Sequence, residues 1–289
     1  MKPASAGMIT LLTSTGAAQK LLQADLYTLT LADSTVLRYT SADRDITISG
    51  VTWAQGPLFK RGSTSYKLGT EASSLQVTIT PRSADQLASL AWLQAASNGA
   101  LDGATMLIER FITDNWADTS RGKIYHFFGL CGAVDMDRMS ATITLNSPAI
   151  LLNQQYPKNL FQVTCINTLY DSACTVNKAA KTVAGAALAG GSASTFGTNL
   201  VQADSYFNLG VIKFTSGQNS GASRAVDSYL LASGQVSVAY PFSYAPAAGD
   251  TFNIYPGCNK LFTGDCLGKF ANQANFKGHP FIPVAETAF

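Results

Sequence analysis

The sequence is short of charge. Lys, Arg, Asp and Glu make up only 13% of the 289 residues, against 46% hydrophobic, so the chain has ample apolar surface to bury and is not a disordered one. Much of its surface is expected to meet other protein instead of water. A formal charge of +2 supplies no field to gather nucleic acid or an anionic membrane, and neither is expected as a partner. No apolar run approaches the roughly eighteen residues a membrane helix needs. Lys2 is followed only by the brief stretch Met8–Leu12, interrupted by Thr10, which is a poor secretion signal. Synthesis in a reducing cytoplasm is the expectation.

Histidine is scarcer still. His126 and His279 are the only two, which excludes a histidine-rich catalytic metal site and gives a cysteine nucleophile no evident base. Carboxylates are few and dispersed. Asp43/Asp45 and Asp135/Asp137 share strand faces at i,i+2 and could form an acid/base pair, although paired acids on a strand more often mark a solvated edge. Neither GxGxxG nor GxxxxGK[ST] occurs, and the glycines at Gly129–Gly132 and Gly190–Gly191 lack the strand–turn–helix setting of a phosphate loop. No enzyme is expected. A cell-wall hydrolase would need a catalytic site that these residues do not form.

What is present reads as strand. Residues 1–24 form a leader or docking segment, with a short helix predicted from about Ser14. From Asp25 the period changes to two: Tyr27, Leu29 and Leu31 turn at Asp33-Ser34 and return through Val36–Tyr39 as a hairpin. Ile46 and Ile48 face Val51 and Trp53 across Ser49-Gly50, Leu75/Val77/Ile79 alternate, and strands are predicted at 105–112, 123–134 and 141–145. One helix is predicted from Ser83, capped through Gln86 and striped by Leu87, Leu90 and Leu93, ending at Asn98-Gly99. The fold class is mainly β, with a β-rich domain over 25–154 and a second over 155–289. Within the latter, 175–198 is nearly all small residues, read as strands or an exposed excursion, and strands return at 211–214, 223–229, 235–240 and 252–255.

Cysteine carries the strongest signal. Cys131 lies in an apolar strand and reads as core. The other four pair as Cys165/Cys174 and Cys258/Cys266, with eight and seven residues inside the pairs and about eighty between them. Four thiolates are the ligand set of structural zinc and of iron–sulfur clusters. Zinc knuckles favour tighter spacing, so the wide loops lean toward a cluster. Two disulfides and four buried thiols are the competing readings. A helical turn is predicted inside the first loop, and His279 is a candidate neighbour of the site.

Residues from both halves also carry a resemblance: Ala24–Leu31 with Val36–Thr40, Asn146–Pro148, Pro157–Phe161, Cys165-x8-Cys174 enclosing Leu169–Asp171, Phe242, Gly249-Asp250, Gly257–Lys260, Cys266, Asn275–Phe281 and Val284–Ala288. Together they resemble the tail-tip baseplate hub family of long, non-contractile-tailed phages, which is similar to the lambda minor tail protein L and gene transfer agent hub proteins. The resemblance implies a β-barrel-like hub domain followed by a β-rich metal-cluster domain, in a homo-oligomer expected to be a trimer at the virion tail tip. It would sit between the distal tail protein and the central hub or fibre protein, with the tape-measure protein as a further neighbour. It also implies a 4Fe–4S cluster on Cys165, Cys174, Cys258 and Cys266, with zinc as the runner-up. The spacer between the pairs is longer here than in the lambda-like proteins. A different class, a glycan-binding module, would use Tyr240, Phe242 and Tyr244 as a platform.

Overall fold

A computed structural model describes residues 4–13, 21–64, 71–88, 90–153, 156 and 161–282, and the chain divides into two compact units, 1–154 and 155–289. The leader helix expected from Ser14 falls partly outside the described residues. A helix lies earlier instead, α1 (Ala6–Thr13). Ser5 starts it, its Oγ accepting the Met8 N–H at 3.1 Å. Met8 and Leu11 are buried within the first unit, so this segment packs on its own domain. Arg121 secures the entry, pairing with Asp114 and Asp118 and reaching the carbonyl of Gly7.

Alternating apolar residues then build a nine-stranded sheet. Its strands are β1 (Leu22–Thr30), β2 (Val36–Thr40), β3 (Ile46–Ile48), β4 (Val51–Gln55), β5 (Leu58–Arg61) and β6 (Ser74–Thr80), followed later by β9 (Thr105–Thr113), β10 (Lys123–Met136) and β11 (Ala141–Asn146). The spatial order is β3-β4-β2-β1-β9-β10-β11-β6-β5. The sheet ends in β3 on one side and β5 on the other, and β4, next to the first edge, runs directly into β5 in the chain, so the sheet must curl back on itself. Its concave face holds Tyr27, Leu29, Phe59, Val77, Ile79, Met106, Ile108 and Ile143. Phe59 of β5 stacks on Tyr27 at 4.7 Å and on Tyr39 at 5.1 Å, spanning the interior. Ala24, Leu26 and Phe111 pack on the opposite face beneath the β3–β4 hairpin, where Trp53 closes a second small core. That hairpin turns through Ser49 and Gly50, at φ +52° and +78°, the left-handed pair a two-residue turn requires. Asp25 joins three strands: its carboxylate meets Arg61 of β5 at 2.6 Å and Arg110 of β9 at 2.9 Å.

The helix expected from Ser83 is cut to a single turn and a half. Gln86–Leu87 and Leu90–Ala91 form a two-stranded ribbon, β7 and β8, and only Trp92–Ser97 is helical (α2). The Ser83/Gln86 pattern does not cap anything. Asp85 instead accepts the Arg82 N–H at 2.8 Å and gives its carbonyl to the Trp92 N–H, and Ala88 turns through φ +50°. Leu87 and Trp92 still reach the core, because a hairpin followed by a turn delivers them to the same face. The helix stops at Asn98-Gly99 as expected, with Gly99 at φ +86°.

In the second unit, α3 (Lys178–Lys181) is followed by β12 (Val183–Ala186), β13 (Thr195–Gly197), β14 (Val211–Phe214), β15 (Ser223–Leu230), β16 (Gln235–Val238) and β17 (Thr251–Tyr255). The sheet order is β12-β17-β14-β15-β16-β13, and the bridge Ala187–Thr198 joins its first and last strands. The result is a closed six-stranded antiparallel barrel. Phe196, Phe207, Phe214, Tyr229, Phe242, Phe252 and Ile254 fill it. The small residues of 175–198 are therefore not an empty excursion: Gly185 leaves space for the Phe252 ring, which would meet an added Cβ at 2.8 Å. The segment between the cysteine loops, 175–257, is an inserted β segment, and its first and last strands, β12 and β17, are paired neighbours, Val183 opposite Ile254, so strand hydrogen bonds hold its two ends together.

Candidate metal centre

The two cysteine loops lie where the chain enters and leaves this barrel. Asp171 organises the first. Its carboxylate accepts the N–H groups of Thr168, Ala173 and Cys174 at 2.9, 3.0 and 2.5 Å, and these bonds, led by the one from Cys174, hold its pKa below the usual carboxylate range. They also replace the expected helical turn with a loop in which Tyr170 and Thr175 take φ +69° and +61°. In the second loop Asn259 plays the equivalent part, its Oδ1 accepting the N–H groups of Leu261 and Asp265, both at 3.1 Å, while Asp265 returns a bond to the Asn259 N–H. At the barrel exit, glycine is required: a Cβ on Gly257 would lie 2.0 Å from the Leu209 carbonyl, and one on Gly210 2.1 Å from that of Tyr255.

Backbone bonds bring the loops together. Cys165 N–H donates to Lys260 O at 2.9 Å, Ile166 N–H to Lys277 O at 3.1 Å, and Asn272 N–H to Cys266 O at 2.8 Å. The four cysteines line one cavity of about 20 Å³, together with Asn167, Leu169, Val176, Lys260, Phe270, Asn272 and Asn275. Three of the sulfurs receive a hydrogen bond. Lys260 N–H points at Cys258 Sγ (3.3 Å), Lys277 N–H at Cys165 Sγ (3.4 Å) and Asn272 Nδ2 at Cys174 Sγ (3.6 Å). A polar chain runs behind them: Lys260 Nζ donates to Asn167 O, Asn167 Nδ2 to Asn275 O, Asn275 Nδ2 to Asn272 Oδ1, and Asn272 Nδ2 also to Cys174 O. Lys260 adopts φ +63° and Ala271 +47°. Such conformations are costly for non-glycine residues and persist only when the surroundings over-determine them.

The electrostatics disfavour four bare thiolates. Burial pushes the thiols of Cys258 and Cys266 up, and the neighbouring cysteines raise Cys266 further, because thiolates crowded together repel one another. The geometry bears on which cation fits. Among the described residues no group of three or more His, Cys, Asp or Glu side chains is gathered tightly enough to hold a single metal ion. A tetrathiolate zinc site holds each sulfur about 2.3 Å from the metal. The four thiols line one small cavity and three of them carry an N–H donor, an arrangement that suits ligands of a metal group, zinc or polynuclear.

The remaining candidates sit elsewhere. Cys131 packs against the core of the first unit, its thiol pushed up to about 11 by burial. At pH 8 roughly one such thiol in a thousand is ionised, so Cys131 is expected to resist iodoacetamide in native protein and to react once denaturant is added. His126 shares a hydrogen bond with Thr64 at 2.9 Å. His279 lies outside the cavity lining and packs its ring on Phe161 at 4.6 Å. Asp45 accepts the Gln55 N–H and Asp137 the Arg138 N–H, as edge residues do. The aromatic platform is not formed: Phe242 is buried in the barrel, leaving Tyr240 and Tyr244 exposed without it. Sequence reading missed the asparagines of the cavity wall: Asn272 and Asn275 were signalled only by their closeness in sequence, and Asn167 by nothing.

Two family models match stretches of the chain. Residues 9–177 match the family described as baseplate hub protein, N-terminal attachment domain. The chain belongs to this baseplate hub family. It is a structural component of the phage virion. Residues 205–286 match a second family, described as phage conserved hypothetical protein BR0599, so each cysteine pair of the hub protein falls within one of the two matches. A solved structure of the virion of a native gene transfer agent particle contains a chain with the same fold, at TM-score 0.72 and 23% identity, covering 98% of the hub protein and 94% of that chain. No curated protein matches it. The resemblance motifs at 157–160 and 284–288 lie outside the described residues, and no described helix is long and apolar enough to cross a membrane.

Proposed function

We propose that this hub protein works at the tail tip of a long, non-contractile-tailed phage, as a trimer that joins the distal tail protein to the central hub or fibre protein, with the tape-measure protein close by. We further propose that Cys165, Cys174, Cys258 and Cys266 hold a 4Fe–4S cluster that serves architecture and not catalysis. The observation that supports the cluster is the convergence of four thiols from two distant segments on one cavity, three of them with an N–H donor on sulfur.

A bound cluster would supply four strong bonds to sulfur and the positive charge that four crowded thiolates lack. The chain's own residues do the rest. Asp171 and Asn259 shape the loops, Lys260 ties the second loop to the first through Asn167, and Asn272 ties both to the segment that follows Cys266. Since β12 and β17 already pair, the cluster would pin the loops and the chain after them, not the barrel. The low charge of the whole chain favours burial of its faces against other particle proteins.

Protein purified without oxygen is expected to be brown and to carry about four iron atoms per chain, with a trimer mass in sedimentation. A colourless, iron-free, zinc-loaded protein would overturn the cluster and leave the zinc-stapled reading in its place.

A further inference from the structure

We propose that Cys266 is the releasing corner of the centre: the ligand that lets go first, and the thiol first exposed to chemical modification when the metal is drawn out. This rests on the reading of the four cysteines as ligands of one metal group.

The four sulfurs are not equivalent. Cys165, Cys174 and Cys258 each receive a hydrogen bond, from Lys277 N–H, Asn272 Nδ2 and Lys260 N–H respectively. Among the described residues nothing donates to Cys266 Sγ. Its backbone is engaged, through the Asn272 N–H on its carbonyl, yet its sulfur has no outer support. Exposure does not separate the four, because all are partly buried. Local geometry does. Cys266 ends the turn Phe262–Cys266, which is broken at Gly264 by a non-helical ψ of −125°, whereas the Cys258 sulfur is clasped by the tight turn at Lys260.

An N–H bond draws electron density from a thiolate and fixes its direction toward the metal. Losing outer support of this kind costs roughly 10–100-fold in metal affinity. When the bond of Cys266 to metal breaks, the electron pair stays on sulfur and takes a proton from water. That free thiol can then be alkylated, forming a carbon–sulfur bond and releasing the leaving group with the proton.

The test uses the intact protein, purified without oxygen and with its iron and zinc measured at the start. An iron chelator is added with iodoacetamide, and alkylation of each cysteine peptide is followed by mass spectrometry. Cys266 is expected to be modified roughly 10–100-fold faster than Cys165, Cys174 and Cys258. Equal rates, or another thiol reacting first, would overturn the proposal. Metal-free starting protein in which all four react at once overturns the metal reading as well, and the initial metal content tells the two failures apart. Asn272→Leu extends the test by removing the donor to Cys174. Cys174 is then expected to rise toward the rate of Cys266 while Cys165 and Cys258 stay slow. An unchanged order in that variant would overturn hydrogen-bond support as the cause.

Discussion

Serine at all four positions, Cys165, Cys174, Cys258 and Cys266, is expected to unravel the loops around the barrel and leave the barrel itself standing. Metal ligation supplies on the order of 10 kcal/mol in structural zinc sites, and a cluster anchored by four thiolates is expected to contribute on that scale. The loops have little else. No residue between Asn259 and Ala271 is buried, and Lys260 and Ala271 are held in left-handed conformations that relax once the sulfurs are no longer anchored. The barrel, by contrast, has its own aromatic core and a closed ladder of strands. Hydrogen exchange read by mass spectrometry should show fast exchange over 163–177 and 258–282, with 183–255 still protected. Collapse of protection across the barrel would mean that the loops are its foundation. Full protection everywhere would remove the metal from the architecture altogether.

Asp25→Ala is expected to be the most damaging single change in the first unit. The Asp25 side chain is only 15% exposed and is the shared counter-charge of Arg61 and Arg110. Removing one member of a largely buried ionic group leaves the others uncompensated, at about 3–5 kcal/mol. Because these three residues lie on β1, β5 and β9, the loss also loosens the seam where the curled sheet returns on itself. The first unit's melting temperature should fall on the order of 10 °C. The triple variant with Asp25→Leu, Arg61→Met and Arg110→Met is expected to recover most of that loss, since no charge is then left buried. A single Asp25→Ala variant that melts like the parent would show that water already screens the group.

The strands of both units were largely legible because half-buried sheet imposes an alternation that Leu75/Val77/Ile79 or Val236/Val238 display without help. The Ser83 helix was misread for a physical reason. A period-three stripe of leucines fits one helix face, but it fits a tight ribbon followed by a short helix equally well, and the choice was made by Asp85 bonding to Arg82 and Trp92. The barrel was hidden by its own economy. Six short strands close on a narrow interior, so a few phenylalanines fill it and the facing residues must be small, which made Ala184, Gly185 and Ala186 look like filler. The two cysteine pairs were visible in the spacing, which left metal, disulfides and buried thiols open, and the fold brings all four to one cavity. The polar backing of that cavity was not legible, because Asn167 and Asn275 meet across 108 positions of sequence and asparagine is an ordinary turn residue.

The pairing of β12 with β17 carries one more consequence. A module whose first and last strands are neighbours presents the rest of the chain with two ends about 4.8 Å apart, a gap one or two residues can bridge. The barrel is in that sense an exchangeable cassette. Its length and outward loops can vary without altering the distance over which Cys174 and Cys258 must meet, because the pairing of Val183 with Ile254 sets that distance. The outward surface of the barrel is thus free to change while the cysteine loops at its entry and exit stay the same.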